Sequence, residues 1–178
     1  DIFQKGKTIT RSFTLIEGSS AAILKKKIIS NKYLTGPIPS LKEGIYKPDT
    51  YYFKYGYSRI KLLKLMKRAQ DKLLKLIWQK KTKKFILKNK NELLILASMV
   101  QSESNSLKDS KLVASVFINR LSNNMKLQSD VTLAYGLNIS GKELTKKMLK
   151  LDHPFSTYYY KGLPPTPISY PGKNAFKS

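Results

Sequence analysis

The chain has 178 residues, enough to bury one proper hydrophobic core, or a core with a small appendage. It contains no cysteine, which excludes disulfides, thiolate metal sites and cysteine nucleophiles; its single histidine, His153, argues against a Ser-His-Asp triad and excludes a multi-histidine metal site. The formal net charge is +23, yet only four of the 34 basic residues are arginine, on which base readout and bidentate phosphate contacts depend. Nucleic-acid binding is therefore not expected, and a compositional bias or a surface facing an anionic membrane or wall polymer accounts for the charge.

The first 56 residues predict a small module of mixed α and β structure. Residues 8–16 are rich in β-branched and aromatic side chains that partly alternate, which favours a strand. Ser19 or Ser20 then caps a short helix, and the stretch 35–40, with its glycine and prolines, breaks the chain. Residues 43–56 are aromatic and bounded by glycines, so they are predicted to be strand-like.

A helical pattern begins at Ser58. Apolar residues recur near a 3.6-residue period with lysine and arginine between them, which predicts a basic amphipathic helix. Such a helix either packs on its own domain or lies on a membrane or a partner. Residues 80–90 form a lysine-rich connector, and Asn89 with Glu92 resembles a capping box that opens the next helix. No apolar run approaches the ~20 residues of a membrane span, so a soluble protein, or the soluble part of an anchored one, is expected.

The second half of the chain predicts further helices and then an irregular end. Ser110 is expected to cap the next helix, and Asp130 to cap a short helix closed by Gly136. Residues 144–151 predict another helix. The segment 162–172 has too many prolines for regular structure and is expected to wrap over a surface as an extended loop.

Glu103 lies near the end of an apolar helical run and is the strongest candidate for chemistry. The chain has only 11 acidic residues, and this one shares a helix face with Leu96, Met99 and Val100. A carboxyl group among apolar neighbours is partly desolvated, which favours its protonated form and suits a general acid. The alternative is a glutamate at a helix end that turns out to water.

Five segments that follow one another in a fixed order carry a resemblance to a known family. They are LASMVQSES (residues 96–104), VASVFINRL (113–121), MKLQSDVTLAYG (125–136), FSTY (155–158) and GLPPTPI (162–168), with Pro171 and Gly172 closing the series. In sequence and order they resemble the endolytic murein transglycosylases of the MltG, or YceG-like, family. The earlier segments TLIEGS (14–19) and PDTY (48–51) resemble the LysM-like N-terminal part of that family, so the resemblance extends over nearly the whole chain.

The resemblance implies cleavage of the β-1,4 bond between N-acetylmuramic acid and N-acetylglucosamine within a glycan strand, without water and without a metal or organic cofactor. Glu103 matches the family's catalytic glutamate. It would protonate the glycosidic oxygen, and the resulting carboxylate would take the proton of the muramic acid 6-hydroxyl, which closes on C1 to give a 1,6-anhydro end. Because one carboxylate serves as acid and then as base, no second carboxylate at glycosidase spacing is required.

Further residues are carried over from the resemblance as substrate-binding candidates, namely Asn119, Gln128, Asp130, Tyr135, Thr157 and Tyr158. The polar side chains can hydrogen-bond sugar hydroxyl or N-acetyl groups, and the tyrosines can stack on sugar rings. Other interpretations stay open, because Asp130 is also a good helix cap, Asn119 can be a core amide and any tyrosine can simply pack. Arg120 is a candidate for orienting a carboxylate or binding an acid of a peptide stem.

The chain departs from the family pattern at several positions. Gln101 stands where the family usually has an acid two residues before the catalytic one, which supports Glu103 as the catalytic group. Phe155 and Ser156 replace the tyrosine and asparagine that family members commonly have, which alters any sugar contact made there. The family's N-terminal membrane helix and the segment expected after Gly172 are absent, so a fragment or a shortened member is expected.

We therefore expect an α+β protein. A small LysM-like module covers residues 1–56, a basic helix and connector cover 57–90, and a mainly helical, lysozyme-like catalytic region covers 91–178. The expected partners are peptidoglycan glycan strands, peptidoglycan synthases and, through an N-terminal anchor missing from this chain, the bacterial cytoplasmic membrane, with the catalytic part on its envelope side. The rival hypothesis is a non-catalytic basic protein that binds peptidoglycan or nucleic acid.

Overall fold

The computed structural model describes residues 9–81, 85–104 and 106–176, and within them the chain has mixed α and β structure. Its helices and strands follow in the order β1 (Arg11–Thr14), α1 (Ala21–Ser30), β2 (Leu34–Thr35), β3 (Thr50–Phe53), β4 (Tyr57–Ser58), α2 (Arg59–Gln79), α3 (Lys90–Glu103), α4 (Leu107–Ser122) and α5 (Asp130–Leu137). Short 3-10 turns lie at Gly141–Glu143, Met148–Lys150 and Asn174–Phe176. The predicted α+β class is confirmed.

Two small sheets form in the N-terminal part. β1 pairs with β3 in antiparallel register, and β2 pairs with β4 in parallel. Phe13 on β1 and Tyr51 and Phe53 on β3 are buried, as expected when alternate residues of a strand face the core. The N-terminal part thus packs one face of a two-stranded sheet against apolar side chains of the helices.

Both predicted strands are shorter than expected. Of the predicted strand 8–16, residues 11–14 form β1, and residue 8 lies outside the described residues. Of the predicted strand-like segment 43–56, only Thr50–Phe53 forms a strand, which is β3. Gly44 has a φ of 77°, and Pro48 has no amide hydrogen for a ladder, so the chain cannot pair continuously before β3.

Three helices begin where the sequence predicted, two of them at predicted capping residues, Ser20 and Asn89, and the third at Ser58. The hydroxyls of Ser20 and Ser58 each accept a hydrogen bond from an amide in the first turn of the following helix, α1 and α2. The Oδ1 of Asn89 accepts from the amide of Glu92 at 2.9 Å, at the start of α3. The return bond of the capping box is displaced by one residue, because the Glu92 carboxylate accepts from the amide of Lys88.

The predicted cap of α4 at Ser110 is wrong. The helix begins at Leu107, because the hydroxyl of Ser106 accepts from the amide of Asp109 at 3.2 Å and donates to the Asp109 carboxylate at 2.6 Å. These two bonds between Ser106 and Asp109 fix the start of the helix earlier than predicted. Ser110 is instead a buried residue inside α4, and its hydroxyl donates to the Ser106 carbonyl oxygen at 2.9 Å.

The predicted limits of α5 are also corrected. Asp130 is the first residue of this helix and not its cap, and the helix continues past Gly136 to end before Asn138, which has a φ of 55°. Ser129 occupies the capping position without making a capping bond. Its hydroxyl is used elsewhere, since it donates to the carboxylate of Glu103.

The helix predicted over residues 144–151 does not form. The chain makes one 3-10 turn at Gly141–Glu143, just before this segment, and a second at Met148–Lys150 within it, and neither contains a buried residue. A capping box between Ser140 and Glu143 fixes the first turn. Because helical stability in proteins comes mostly from packing an apolar face, a segment with no buried side chain in its turns does not extend into an α-helix.

Two groups of buried apolar side chains form the core, and α2 contributes to both. Leu62, Leu63 and Met66 pack with the strands and α1, whereas Leu74 packs in the group that includes α3 and α4. The basic amphipathic helix therefore packs on the protein itself, as one of the two interpretations predicted. Among the residues that the structure describes, none of the helices combines the length and the apolar character that crossing a membrane requires.

The central helix is α3, and the proline-rich end of the chain packs along it. All side chains from residue 93 to residue 100 are buried, as expected for a helix covered on every side. The amide of Ile168 donates to the Ser98 hydroxyl at 3.1 Å, and the amide of Gly172 donates to Oε1 of Gln101 at 3.0 Å. The predicted extended wrap is confirmed, and Gln101 helps to hold it on α3.

Candidate active site

Glu103 is the last residue of α3, and its side chain is exposed. Leu96, Met99 and Val100 are buried in the core, but the helix ends at Glu103, so its carboxyl group lies beyond the apolar face that it was expected to share. The predicted burial of this carboxyl group is therefore wrong. The alternative, a glutamate at a helix end that faces water, describes its exposure better.

The Glu103 carboxylate is nevertheless fixed by a neighbouring hydroxyl. Ser129, itself buried, donates to Oε1 of Glu103 at 2.6 Å, a length typical of an O–H···O⁻ bond. The amide of Ser129 donates to Oγ1 of Thr157 at 2.9 Å, and the Thr132 hydroxyl donates to the Ser129 carbonyl oxygen at 2.8 Å. Because buried partners hold Ser129 on both sides, the position of one oxygen of Glu103 is well defined.

A tyrosine–carboxylate pair lies in the same neighbourhood. The hydroxyl of Tyr158 donates to Oδ1 of Asp130 at 2.7 Å. Burial, this hydrogen bond and the charges of Asp130 and Glu103 raise the pKa of Tyr158 to about 12, and the charge of Arg120 opposes the shift. Tyr158 therefore stays a neutral donor at physiological pH.

Gln128 is held in an unusual backbone conformation beside this pair. Its φ of 53° lies in the left-handed region, which is uncommon for a residue with a side chain and concentrates at functional sites. The amide of Gln128 donates to the Thr157 carbonyl oxygen at 3.0 Å. Nη1 of Arg120 donates to Oε1 of Gln128 at 3.1 Å and to the Leu127 carbonyl oxygen at 2.6 Å. Arg120 therefore fixes the segment before α5, and these bonds go to uncharged oxygens rather than to a carboxylate.

An open groove of about 320 Å³ connects these side chains with α4. Its polar wall consists of Glu103, Arg120 and Gln128, and its apolar wall consists of Leu112, Val113, Val116, Phe117 and Leu127. A concave site with a few convergent polar groups against apolar surface is the usual form of a small-molecule binding site. Within residues 9–81, 85–104 and 106–176, no group of three or more His, Cys, Asp and Glu side chains is arranged to hold a metal ion.

The structure places most of the predicted site residues at or beside this groove and the others farther from it. Those at or beside the groove are Glu103, Gln128, Asp130 and Tyr158. Thr157 is buried, and its hydroxyl is engaged by Ser129 and Thr132, so it lies behind the groove. Asn119 is exposed on α4, next to Arg120. Tyr135 lines a different cavity, on the far part of α5.

Glu43 is a second acid in an unusual environment, and the sequence analysis did not single it out. Its Oε1 accepts from the amide of Ala21 at 2.8 Å and from the Tyr135 hydroxyl at 3.5 Å. Its Oε2 is buried and has no hydrogen-bond partner among the described residues. Burial raises the pKa of Glu43 from 4.5 to about 7, against the lowering effect of the bond with Ala21. The scarcity of acids, which drew attention to Glu103, applied equally to Glu43.

Replacing Glu43 with Gln is expected to remove a pH dependence of stability. Because folding raises the pKa of this group, its protonation stabilises the fold fully below about pH 4.5, and that contribution is lost as the pH rises through about 7. The loss is about 1–2 kcal/mol once solvent screening of a half-buried group is allowed for. Urea unfolding at about pH 5 and about pH 8 measures it. Equal losses of unfolding free energy in parent and variant would contradict the environment described for Glu43.

A comparison with protein families identifies the chain that carries this geometry. The model of the YceG-like family matches residues 1–178. The chain belongs to the YceG-like family. The resemblance predicted from the ordered motifs is therefore confirmed.

Individual relatives agree with the family match. The chain is 37% identical over 142 residues to an endolytic murein transglycosylase of Streptococcus pneumoniae R6, covering 76% of this chain and 25% of that protein. It is 30% identical over 154 residues to an endolytic murein transglycosylase of Bacillus subtilis 168, covering 84% of this chain and 40% of that protein. A crystal structure of a yceG-like protein from Listeria monocytogenes superposes with a TM-score of 0.76 at 26% identity, covering 98% of this chain and 67% of that one. The chain spans less than half the length of these curated relatives.

Proposed function

We propose that this YceG-like chain is the catalytic part of a lytic transglycosylase that cleaves peptidoglycan glycan strands internally. The observation that carries the proposal is the Glu103 carboxylate, held at 2.6 Å by the buried Ser129 hydroxyl at the edge of an open groove. The names of the relatives, endolytic murein transglycosylases, support peptidoglycan as the substrate class.

In the proposed reaction Glu103 acts first as an acid and then as a base. The protonated carboxyl group gives its proton to the β-1,4 glycosidic oxygen as the bond between that oxygen and C1 of N-acetylmuramic acid breaks, and the N-acetylglucosamine side leaves as an alcohol. The carboxylate then takes the proton of the muramic acid 6-hydroxyl, whose oxygen bonds to C1 and closes the 1,6-anhydro ring. Glu103 returns to its protonated state, so the reaction consumes no water and needs no second carboxylate.

The exposure of Glu103 determines how the reacting atoms are kept from water. The protein alone leaves this carboxyl group exposed. In the proposed reaction the bound glycan strand itself therefore has to cover the group and exclude water from C1. Because the groove is open to solvent, the middle of a glycan strand can enter it without threading an end. The open form of the groove therefore suits cleavage within a strand.

The other side chains of the groove are assigned to binding and positioning. Gln128 and Asp130 are exposed and can accept or donate hydrogen bonds to sugar hydroxyl and N-acetyl groups, and Tyr158 supplies a neutral donor. Thr157 is buried, and its hydroxyl positions Ser129. Asn119 is exposed on α4, so it contacts the glycan only if the glycan strand continues along that helix.

Digestion of purified sacculi tests the proposal. The chain is expected to release muropeptides that end in 1,6-anhydro-muramic acid, identified by mass spectrometry, and the Glu103→Gln variant is expected to release them at least about 10³-fold more slowly. Products with ordinary reducing ends would contradict a lyase. A chain that binds sacculi without releasing any muropeptide would instead be the non-catalytic binding protein.

Replacing Ser129 with Ala is expected to slow cleavage while leaving substrate binding unchanged. The variant loses the bond that fixes Oε1 of Glu103, so kcat falls about tenfold or more and KM changes little, as for a small misplacement of a catalytic group. Steady-state release of anhydro ends measures both constants. A Ser129→Thr variant keeps a hydroxyl at this position and should retain more activity than Ser129→Ala; the reverse order would contradict the positioning role.

We also propose the division of the chain that the sequence predicted. The antiparallel pairing of β1 and β3 around α1 supports a LysM-like module over residues 1–56, and the packing of α2 in both apolar groups supports a connecting role for residues 57–90. Residues 91–178 then carry the lysozyme-like catalytic region, which contains α4, α5 and all of α3 except its first residue.

The proposed location is the envelope side of the bacterial cytoplasmic membrane, near peptidoglycan synthases. A net charge of +23, spread mainly over lysines, would hold the chain close to anionic lipid or wall polymers. Co-sedimentation with anionic vesicles is expected to fall steeply as the salt concentration rises from about 50 mM to about 500 mM, because the Debye length shrinks. Binding that does not change with salt would contradict this electrostatic attraction.

A further inference from the structure

A second cavity, of about 590 Å³, lies where the start of α1 meets the end of α5. The residues of its lining that matter here are Ser20, Glu43, Tyr135, Asn138, Ile139 and Phe155. They come from the N-terminal part and from the region that carries Glu103, so the cavity depends on the folding of both. The cavity is large enough to hold a sugar ring with its substituents.

Two aromatic rings form one side of this cavity. The rings of Tyr135 and Phe155 are tilted by 58° with centroids 5.2 Å apart, and both side chains are half-buried, which leaves part of each available to a ligand. Gly136 permits this packing, since a Cβ there would come within 2.4 Å of the His153 ring and 2.8 Å of Phe155. One face of a hexosamine ring carries C–H groups, which pack well on such rings.

Polar groups border the same cavity. Asn138 presents an exposed amide from a left-handed position, with a φ of 55°. The Tyr135 hydroxyl and the Glu43 carboxyl group lie together, and Oε2 of Glu43 is buried without a hydrogen-bond partner among the described residues. Buried polar atoms in native proteins nearly always have a partner, so an unpartnered oxygen beside a cavity points to a bound group that supplies a donor.

The cavity shares two structural elements with the Glu103 groove. α5 begins with Asp130, which bonds Tyr158 beside Glu103, and it carries Tyr135 five residues later, about 7.5 Å along the helix. The segment that provides Phe155 to the cavity continues into Tyr158. The two sites are therefore neighbours along α5.

We propose that this cavity is a second saccharide subsite, which binds an N-acetylhexosamine ring of the same glycan strand away from the bond that is cleaved. The inference rests on the proposed function, because it takes peptidoglycan glycan as the ligand. Tyr135 and Phe155 stack on the ring, and Asn138 with the Glu43–Tyr135 pair bonds its hydroxyl and N-acetyl groups. Tyr135, predicted from the sequence to bind substrate, does so here and not beside Glu103.

The test uses the full chain with Glu103→Gln, so that no ligand is consumed, and tetra-N-acetylchitotetraose as the probe. Backbone amide signals of Gly136, Asn138 and Ile139 are expected to shift saturably on titration, followed by nuclear magnetic resonance. Adding Tyr135→Ala should weaken binding by about tenfold, whereas Tyr135→Phe, which keeps the ring, should weaken it less. Tyr52→Ala removes a tyrosine that is 72% exposed on β3 and should leave binding unchanged.

Two outcomes would overturn the subsite. The amides of the cavity lining would stay unmoved at saturating oligosaccharide, or Tyr135→Ala would bind as tightly as its parent. Should Tyr135→Ala fail to fold, Asn138→Gly keeps the left-handed backbone, removes the amide and should still weaken binding by about threefold or more.

Failure of this inference can be told from failure of the proposed function. If sacculus digestion depends on Glu103 but the oligosaccharide leaves the cavity unperturbed, the transglycosylase stands and the subsite falls. If the oligosaccharide binds in the cavity while Glu103→Gln digests sacculi as well as the parent, the cavity is a saccharide site and the proposed catalytic role of Glu103 falls.

Discussion

Replacing Glu103 with Gln is expected to lower the rate of glycan cleavage by about 10³-fold or more, because in the proposed reaction this one side chain performs both proton transfers. The amide of glutamine keeps the shape of the side chain and an oxygen that can accept from the Ser129 hydroxyl, so the groove itself is preserved. Substrate binding should change little. The measurement is the steady-state appearance of anhydro ends from purified sacculi at equal protein concentration.

A matched control separates loss of this carboxylate from loss of negative charge. Glu143 is exposed in the 3-10 turn Gly141–Glu143, where its carboxylate accepts from the Ser140 amide, and it lies outside the groove lining. Glu143→Gln should therefore cleave at a rate close to that of the parent. A Glu103→Gln variant that cleaves within about tenfold of this control would exclude Glu103 as the acid and base.

Gly44→Ala is expected to destabilise the fold by about 2–5 kcal/mol, the largest stability effect of a single methyl group that we predict. Gly44 has a φ of 77°, and a Cβ at this position would lie 2.7 Å from Cβ of Pro167 and 3.1 Å from Cγ of Leu94. Proline in the packed C-terminal wrap and leucine inside α3 have little room to move. Urea unfolding followed by circular dichroism measures the change in the free energy of unfolding.

Gly56→Ala is the control for the backbone term. Gly56 has the same φ of 77°, but a Cβ there would meet no atom within 4 Å. Its substitution should cost only the left-handed conformation, about 1–2 kcal/mol. The difference between the two variants therefore isolates the contact of Gly44 with the wrap. Equal destabilisation would mean that the C-terminal segment does not pack on Gly44 as described.

The sequence predicted those helix starts that depend on a single local side chain. Ser20, Ser58 and Asn89 each bond an amide of the turn that follows, so propensity and geometry agree. At α4 and α5 several candidate caps compete. Ser106, which bonds Asp109, caps α4 before the predicted cap. The Ser129 hydroxyl does not cap α5, because it donates to Glu103, which is 26 residues distant in sequence. A long-range bond of this kind leaves no local trace in the sequence.

The sequence supplied candidate residues for the site but not their structural environment. Periodicity placed Glu103 on the apolar face of α3, but the exposure of a side chain in the last turn depends on where the helix ends against its neighbours. The role of Ser129 could not be predicted, because it depends on tertiary contacts. In sequence alone, a serine just before an acidic residue is typical of a helix cap. Tyr135 was predicted only as a substrate-binding residue, and the bond of its hydroxyl with Glu43, 92 residues earlier, depends on the fold.

Cleavage of sacculi in water enriched in ¹⁸O tests the central claim most directly, because the claim is that one carboxylate completes the reaction without water. Mass spectrometry of every newly formed muramic acid end reports where the oxygen came from. The proposed reaction predicts 1,6-anhydro ends with no ¹⁸O, formed only by chains that retain Glu103. New ends that carry ¹⁸O would show hydrolysis and would contradict the single-carboxylate transglycosylase.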